Sequence, residues 1–164
     1  MENDRIRLIP MTPEMYHTFF KEYMNDPDLY PDSASYVPFT YNKEKVDQYI
    51  RRQIELNRIP FAIMCEDEIA GEILIKNIEE HNSAAMSITL KNARFKDRGF
   101  GTAAEKLAVQ FVFFDLDIPV LYADTLKMNT RSQHVLEKAG FKLIKEDKDF
   151  KYFQISRDSR HEVI

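Results

Sequence analysis

Only four glycines occur in the 164 residues, and two of them fall in one tetrapeptide, Arg98-Gly99-Phe100-Gly101. Glycine admits positive φ and close backbone approach, so a chain this poor in it reserves those conformations for a few places. The pair stands between an apolar run at 85–90 and an apolar stretch from Thr102 to Leu116. Strand, tight turn, buried helix is the order this implies, with Leu107, Phe111 and Phe114 expected on one core face. A helix start leaves up to four backbone N–H groups unpaired and carries partial positive charge. A glycine turn ahead of it can therefore cradle a phosphate or pyrophosphate, with Lys96 and Arg98 adding charge. An ordinary turn remains the alternative, because Thr102-Ala103-Ala104-Glu105 matches a capping box. The turn lacks the third glycine of a dinucleotide fingerprint and the Gly-Lys-Ser/Thr of a P-loop.

Around this centre the chain divides into short elements. Residues 5–10 alternate apolar and polar as a half-buried strand, and Thr12-Pro13 opens a helix carrying Met15, Phe19, Phe20 and Tyr23. Residues 25–41, with three prolines, read as a long loop. A second amphipathic helix follows, its stripe formed by Val46, Tyr49, Ile50 and Ile54. Three apolar runs at 61–65, 69–75 and 85–90 suggest an antiparallel meander. After the glycine turn come a strand at 120–125, a helix at 129–139 stopped by Gly140, and strands at 141–145 and 150–155. The last nine residues are mostly polar and read as frayed. The result is an α/β chain with a mixed sheet carrying helices, not a doubly wound parallel sheet.

Composition narrows the function classes. The length fits a single domain over residues 1–164. A formal charge of −4 argues against general affinity for nucleic acid or an anionic membrane. Cys65 is the single cysteine, which excludes an internal disulfide and a multi-cysteine zinc site; it reads as a small core residue, and no metal is expected. No apolar stretch is long enough to span a bilayer, and the first ten residues do not resemble a secretory signal, so a cytoplasmic location is expected.

A second feature lies about thirty residues past the glycine turn: Asn129-Thr130-Arg131-Ser132, then Val135-Leu136-Glu137-Lys138-Ala139-Gly140-Phe141. An Asn at a helix start after a strand ending in Asp124-Thr125 is ordinarily an N-cap. The fixed order of both features, from about Glu68 to Phe153, resembles the GNAT superfamily of N-acetyltransferases. The superfamily's Gln/Arg-x-x-Gly-x-Gly/Ala motif falls on Lys96, Gly99 and Gly101, with Lys in place of Gln/Arg. The Asn-x-x-Ser…Val-Leu-Glu-Lys-x-Gly-Phe ending is similar to enzymes that acetylate ribosomal-protein N-termini, and less closely to polyamine acetyltransferases.

That resemblance implies a mostly antiparallel sheet with one splayed parallel strand pair, an acetyl-CoA-binding core at about 68–146 and an acceptor-side βαα unit at about 4–58. It implies acetyl transfer from acetyl-CoA, as cosubstrate, to a primary amine of a small cationic molecule or a protein N-terminus, by direct attack in a ternary complex. Cofactor contacts would come from Leu90, Lys96, Arg98, Gly99, Phe100, Gly101, Thr102 and Asn129. The superfamily's usual tyrosine proton donor falls on Leu136, and its glutamate base falls on Ala85 or Met86. Ser132 could instead assist the thiolate, or simply sit in a helix first turn. Glu72 could hold a relay water, or be an exposed strand residue. Asp26, Asp28 and Asp32, interleaved with aromatics such as Tyr36 and Phe39, suit a cationic acceptor or a solvated loop. A homodimer remains open. Two other readings stand beside this one: a non-catalytic acyl-CoA-binding module, and a nucleotide-phosphate-binding domain using the glycine turn alone.

Overall fold

A computed structural model describes Met1 and residues 5–158. Asp4 and the polar residues 159–164, on which the expected domain start and frayed tail partly fall, lie outside the described residues. The elements run β1 (Arg7–Pro10), α1 (Pro13–Glu22), α2 (Lys43–Glu55), β2 (Ile59–Cys65), β3 (Glu68–Glu79), β4 (Ser83–Leu90), α3 (Phe100–Gln110), β5 (Val120–Leu126), α4 (Thr130–Lys138), β6 (Lys142–Glu146) and β7 (Phe150–Ser156). Short 3-10 turns occupy Pro27–Leu29 and Ala93–Phe95. None of the described helices is long and apolar enough to cross a membrane.

Local chemistry sets the helix starts. Thr12 accepts from Met15 N with Pro13 behind it, and Asn42 caps α2 through Lys45 N. Seven strands form one sheet in the order β1-β2-β3-β4-β5-β7-β6. Every neighbouring pair is antiparallel except β4 and β5. The mixed sheet, the meander β2-β3-β4 and the single parallel pair are those expected from sequence and resemblance.

The sheet has a core on each face. On one, α1 and α2 bury Tyr16, Phe19, Val46 and Ile50 against Ala62, Met64 and Ile69. On the other, α3 lays Ala104, Leu107 and Ala108 over Ile63, Ile73, Ile75 and Met86. Strand alternation assigns each residue to its face, and a register shift at Ile63/Met64 realigns β2 with β3.

Three expectations are corrected. Ile54 is 69% exposed, and Gln53 turns inward instead, donating to Tyr49 O and accepting from Arg58 Nη1. The helix begins at Phe100, and its last turn widens into a π-helix at Phe111–Asp115. The wider turn shifts the periodicity, so Phe113 is buried and Phe114 is 67% exposed. The capping box does not form: Gly99 is the N-cap, and Glu105 lies a turn deeper in the helix.

Candidate active site

Two diverging strands open the site. β4 and β5 pair from Ser83–Val120 to Met86–Ala123, and no pair follows although both strands continue. On its other side β4 stays paired with β3 as far as Leu90, opposite Gly71. Gly71 allows that approach, since a Cβ there would stand 2.5 Å from Thr89 O. The backbone of residues 87–90 thus has a strand partner on one side only, leaving N–H groups that could polarise a bound carbonyl.

The wedge leads to a cavity of about 230 Å³. Ile88, Thr89 and Leu90 form one wall, and Glu105 of α3 another. The start of α4 contributes Asn129, Arg131, Ser132 and Val135, while Tyr23, Met24 and Asp26 close it from the segment after α1. Lys96 enters from the loop ahead of α3. Of the residues singled out from sequence, Leu90, Lys96, Asn129 and Ser132 therefore meet in one cavity. Asn129 is also the N-cap of α4, its Oδ1 accepting from Ser132 N at 3.1 Å. Cap and cavity wall are one arrangement.

The glycine turn adjoins this cavity without lining it. Gly99 holds φ at 80°, where a side chain would be strained, and no side chain caps α3. The N–H groups of that first turn are free of side-chain caps. A Cβ at Gly101 would stand 3.4 Å from Val135 Cγ1, an ordinary packing distance where α3 meets α4. Arg98 is exposed, with its guanidinium 4.9 Å from the centroid of Phe100, which is itself core. Thr102 is half-buried in the first turn of the helix.

Charges meet where this cavity borders a second one that shares Met24, Asp26, Lys96 and Arg131. Asp26 Oδ2 accepts from Lys96 Nζ at 3.0 Å and from Arg131 Nη1 at 3.1 Å. Arg131 Nε reaches Asp97 at 3.0 Å. Although burial opposes ionisation, the Asp28 N–H and the two cations hold the Asp26 carboxyl below the usual range. This corrects the picture of three free loop aspartates. Asp26 is neutralised, and Asp32 accepts from Ser35 N and Oγ in its own turn. Asp28 remains exposed, with no such turn.

Glu72 is not an exposed strand residue. It is 5% exposed, lies outside the cavity, and accepts from Tyr49 Oη at 2.8 Å. Burial raises its pKa, while Tyr16, Tyr49 and Arg58 pull it back. Its second oxygen, and the Tyr16 hydroxyl nearby, complete no hydrogen bond. Leu136, at the place of the superfamily's tyrosine, is buried in the core.

Sequence reasoning passed over Glu105, Arg131 and Lys91. Glu105 was absorbed into an apparent capping box, though an acid four residues after Gly101 shares its helix face. Lys91 is 2% exposed and binds Glu22 at 2.6 Å and Glu68 at 2.8 Å, fixing the last turn of α1 and the start of β3 to the end of β4. Those partners are remote in sequence, so no local pattern announces them.

The comparisons agree with this geometry. The family model for the acetyltransferase (GNAT) domain matches residues 5–142, and the chain belongs to that family. The spermidine N(1)-acetyltransferase of Escherichia coli K12 is 29% identical over 107 residues, which is 65% of this chain and 55% of that protein. The chain thus spans about half the length of this curated relative. Among solved structures, Campylobacter jejuni N-acetyltransferase PseH in complex with acetyl coenzyme A superposes with a TM-score of 0.69 at 18% identity, covering 93% of this chain and 99% of that one. Aminoglycoside acetyltransferase AAC(6')-Ib in complex with coenzyme A gives 0.77 at 15% identity, covering 96% and 98%. Both show the fold. The superfamily expectation holds; its ribosomal-protein branch is not singled out.

Proposed function

We propose that this protein transfers an acetyl group from acetyl-CoA to a primary amine, on a small cationic molecule or a protein N-terminus. The observation that carries the reading is the cavity at the β4–β5 divergence, where Leu90, Lys96, Asn129 and Ser132 meet beside an uncapped glycine turn. The residues present suit the cosubstrate: the turn offers N–H groups where a side chain would intrude, and the cavity wall holds a buried carboxyl with no partner. When bound, acetyl-CoA supplies an activated acyl group.

The chain's own contribution divides by element. Gly99, Phe100, Gly101 and Thr102 would present main-chain donors to a pyrophosphate, with Arg98 nearby and Lys96 exchanging its Asp26 contact for the anion. Asn129 would bond the pantetheine arm while retaining its capping bond. The unpaired edge of residues 87–90 would stabilise developing negative charge at the carbonyl oxygen. Holding both partners in one cleft can supply up to roughly 7–11 kcal/mol of barrier reduction. Ser132, in the wall of the same cavity, would assist the thiolate through its hydroxyl. Glu72 lies outside the cavity and bonds Tyr49, so no step is assigned to it. Only about one in 10³ lysine-like amines is neutral at pH 7, so the acceptor must shed a proton to solvent.

A cationic acceptor is favoured by the named relative, which acts on spermidine, and by exposed Asp28 beside Tyr36 in the second cavity. A screen of amines and N-terminal peptides with detection of released thiol tests the reading. Release coupled to an acetylated product supports it, and CoA binding without any transfer supports the non-catalytic module instead. That second reading has one observation in its favour, the buried Leu136 in the tyrosine's place.

A further inference from the structure

Glu105 has no accessible surface, and neither of its carboxylate oxygens has a hydrogen-bond partner. It nevertheless lines the cavity at the strand divergence, whose wall also includes Ile88, Val135 and Ser132. Nothing in the fold requires an acid there. Its neighbours on the inner face of α3, Ala104, Leu107 and Ala108, are all apolar core. A buried, unpartnered carboxyl is costly, and such a group is commonly retained for what it does to a ligand.

We propose that Glu105 is the acid that protonates the sulfur leaving in acetyl transfer. This rests on the acetyl transfer proposed above. The amine nitrogen bonds to the carbonyl carbon, the C–S bond breaks, and its electron pair goes to sulfur. The Glu105 O–H proton passes to that sulfur, leaving a free thiol and a carboxylate. The proton shed by the amine nitrogen goes to solvent, and the carboxylate recovers its own from solvent once products leave. This assigns to α3 the task that the superfamily's tyrosine would perform from α4.

Burial alone pushes the Glu105 carboxyl up to about 8, so it is protonated at neutral pH. An alkyl thiol ionises near 8.5, which makes the transfer almost level in energy. The other ionisable groups of the cavity are Tyr23, Asp26, Lys96 and Arg131. The last three, together with Asp97 on Arg131, balance in charge, and burial raises Tyr23 further. None of them supplies a competing charge at Glu105.

The test uses the full chain and Glu105→Gln, which keeps the shape and removes the acid. Thiolate absorbance of bound CoA is titrated in both proteins. A carboxylate against the sulfur delays thiol ionisation, so the thiolate should appear at least one pH unit lower in the variant. Turnover is then compared for acetyl-CoA and for an S-acetyl aryl thioester whose thiol leaves without protonation. The variant should lose at least tenfold in kcat with acetyl-CoA, bind CoA within threefold of the wild type, and lose little with the aryl donor. Identical thiol titrations, or equal losses on both donors, overturn the assignment. If the wild type acetylates no amine, the proposed function fails, and the thiol titration still decides the placement of Glu105. A Glu105→Leu protein, assayed the same way, guards against a fold effect particular to glutamine.

Discussion

Two buried carboxyl groups, one on each face of the sheet, behave differently because one has a donor and the other has none. Glu105 ionises at 4.5 in its ordinary state and near 8 when folded. Between these values the unfolded chain releases a proton that the folded chain keeps, so stability falls as pH rises from about 4.5 and levels off above 8. Relative to wild type, Glu105→Gln should gain stability across that window, by on the order of 3–5 kcal/mol at its top. Urea unfolding at pH 5 and pH 8 measures this, and a difference that does not grow with pH contradicts it. Glu72 has the Tyr49 hydroxyl, and losing it leaves a buried acceptor short. Tyr49→Phe should cost about 1–3 kcal/mol. Because Glu72 sits outside the cavity, Glu72→Gln should leave the pH–rate profile in place. A profile that loses one ionisation in that variant would restore Glu72 as a base or relay.

The element that governs the site is the turn from β4 into α3. Its two glycines differ: Gly99 supplies a left-handed N-cap without a side chain, and Gly101 packs in the first turn near Val135 of α4. Gly99→Asp places bulk and negative charge at the uncapped helix start, and should weaken acetyl-CoA binding at least tenfold, about 1.4 kcal/mol. Isothermal titration of a folded variant checks it; unchanged affinity would remove the turn from the cofactor site. Asn129→Ala should lower stability by about 1 kcal/mol through the lost cap, and CoA affinity in addition. Loss of stability with affinity intact would leave Asn129 as a cap alone. Much at this scale was legible in the sequence, because caps and turn glycines act through neighbours three or four residues away. The inward side of Gln53 and of Phe113 was not legible. An Ile beside a Gln, or three phenylalanines near one another, fit either face until packing chooses. The π turn at Phe111–Asp115 has no sequence mark of its own.

At the scale of the molecule, the ion triad of Asp26, Lys96 and Arg131 joins the loop after α1 to the segment ahead of α3 and to the start of α4. Neutralising Asp26 leaves Asp28 as the exposed acid expected to select cationic acceptors. The kcat/KM for spermidine and for a basic N-terminal peptide should fall with salt, while that for a neutral amine should not. Asp28→Asn should narrow the difference, whereas Asp32→Asn, whose carboxylate serves its own turn, should not. Selectivity indifferent to both salt and Asp28 would exclude the loop as selector. The sequence by itself determined the order of strands and helices, the mixed sheet, the glycine turn and the Asn129 cap. All of these depend on periodicity, backbone freedom and short-range hydrogen bonding. Tertiary structure alone decided that β4 and β5 part beyond Met86 and Ala123, that Asp26 is spent on two cations, and that Glu105 stands unpaired in the resulting cavity. The groups concerned lie up to 105 residues apart. Burial and charge pairing arise only when distant elements pack, so no local pattern carries them.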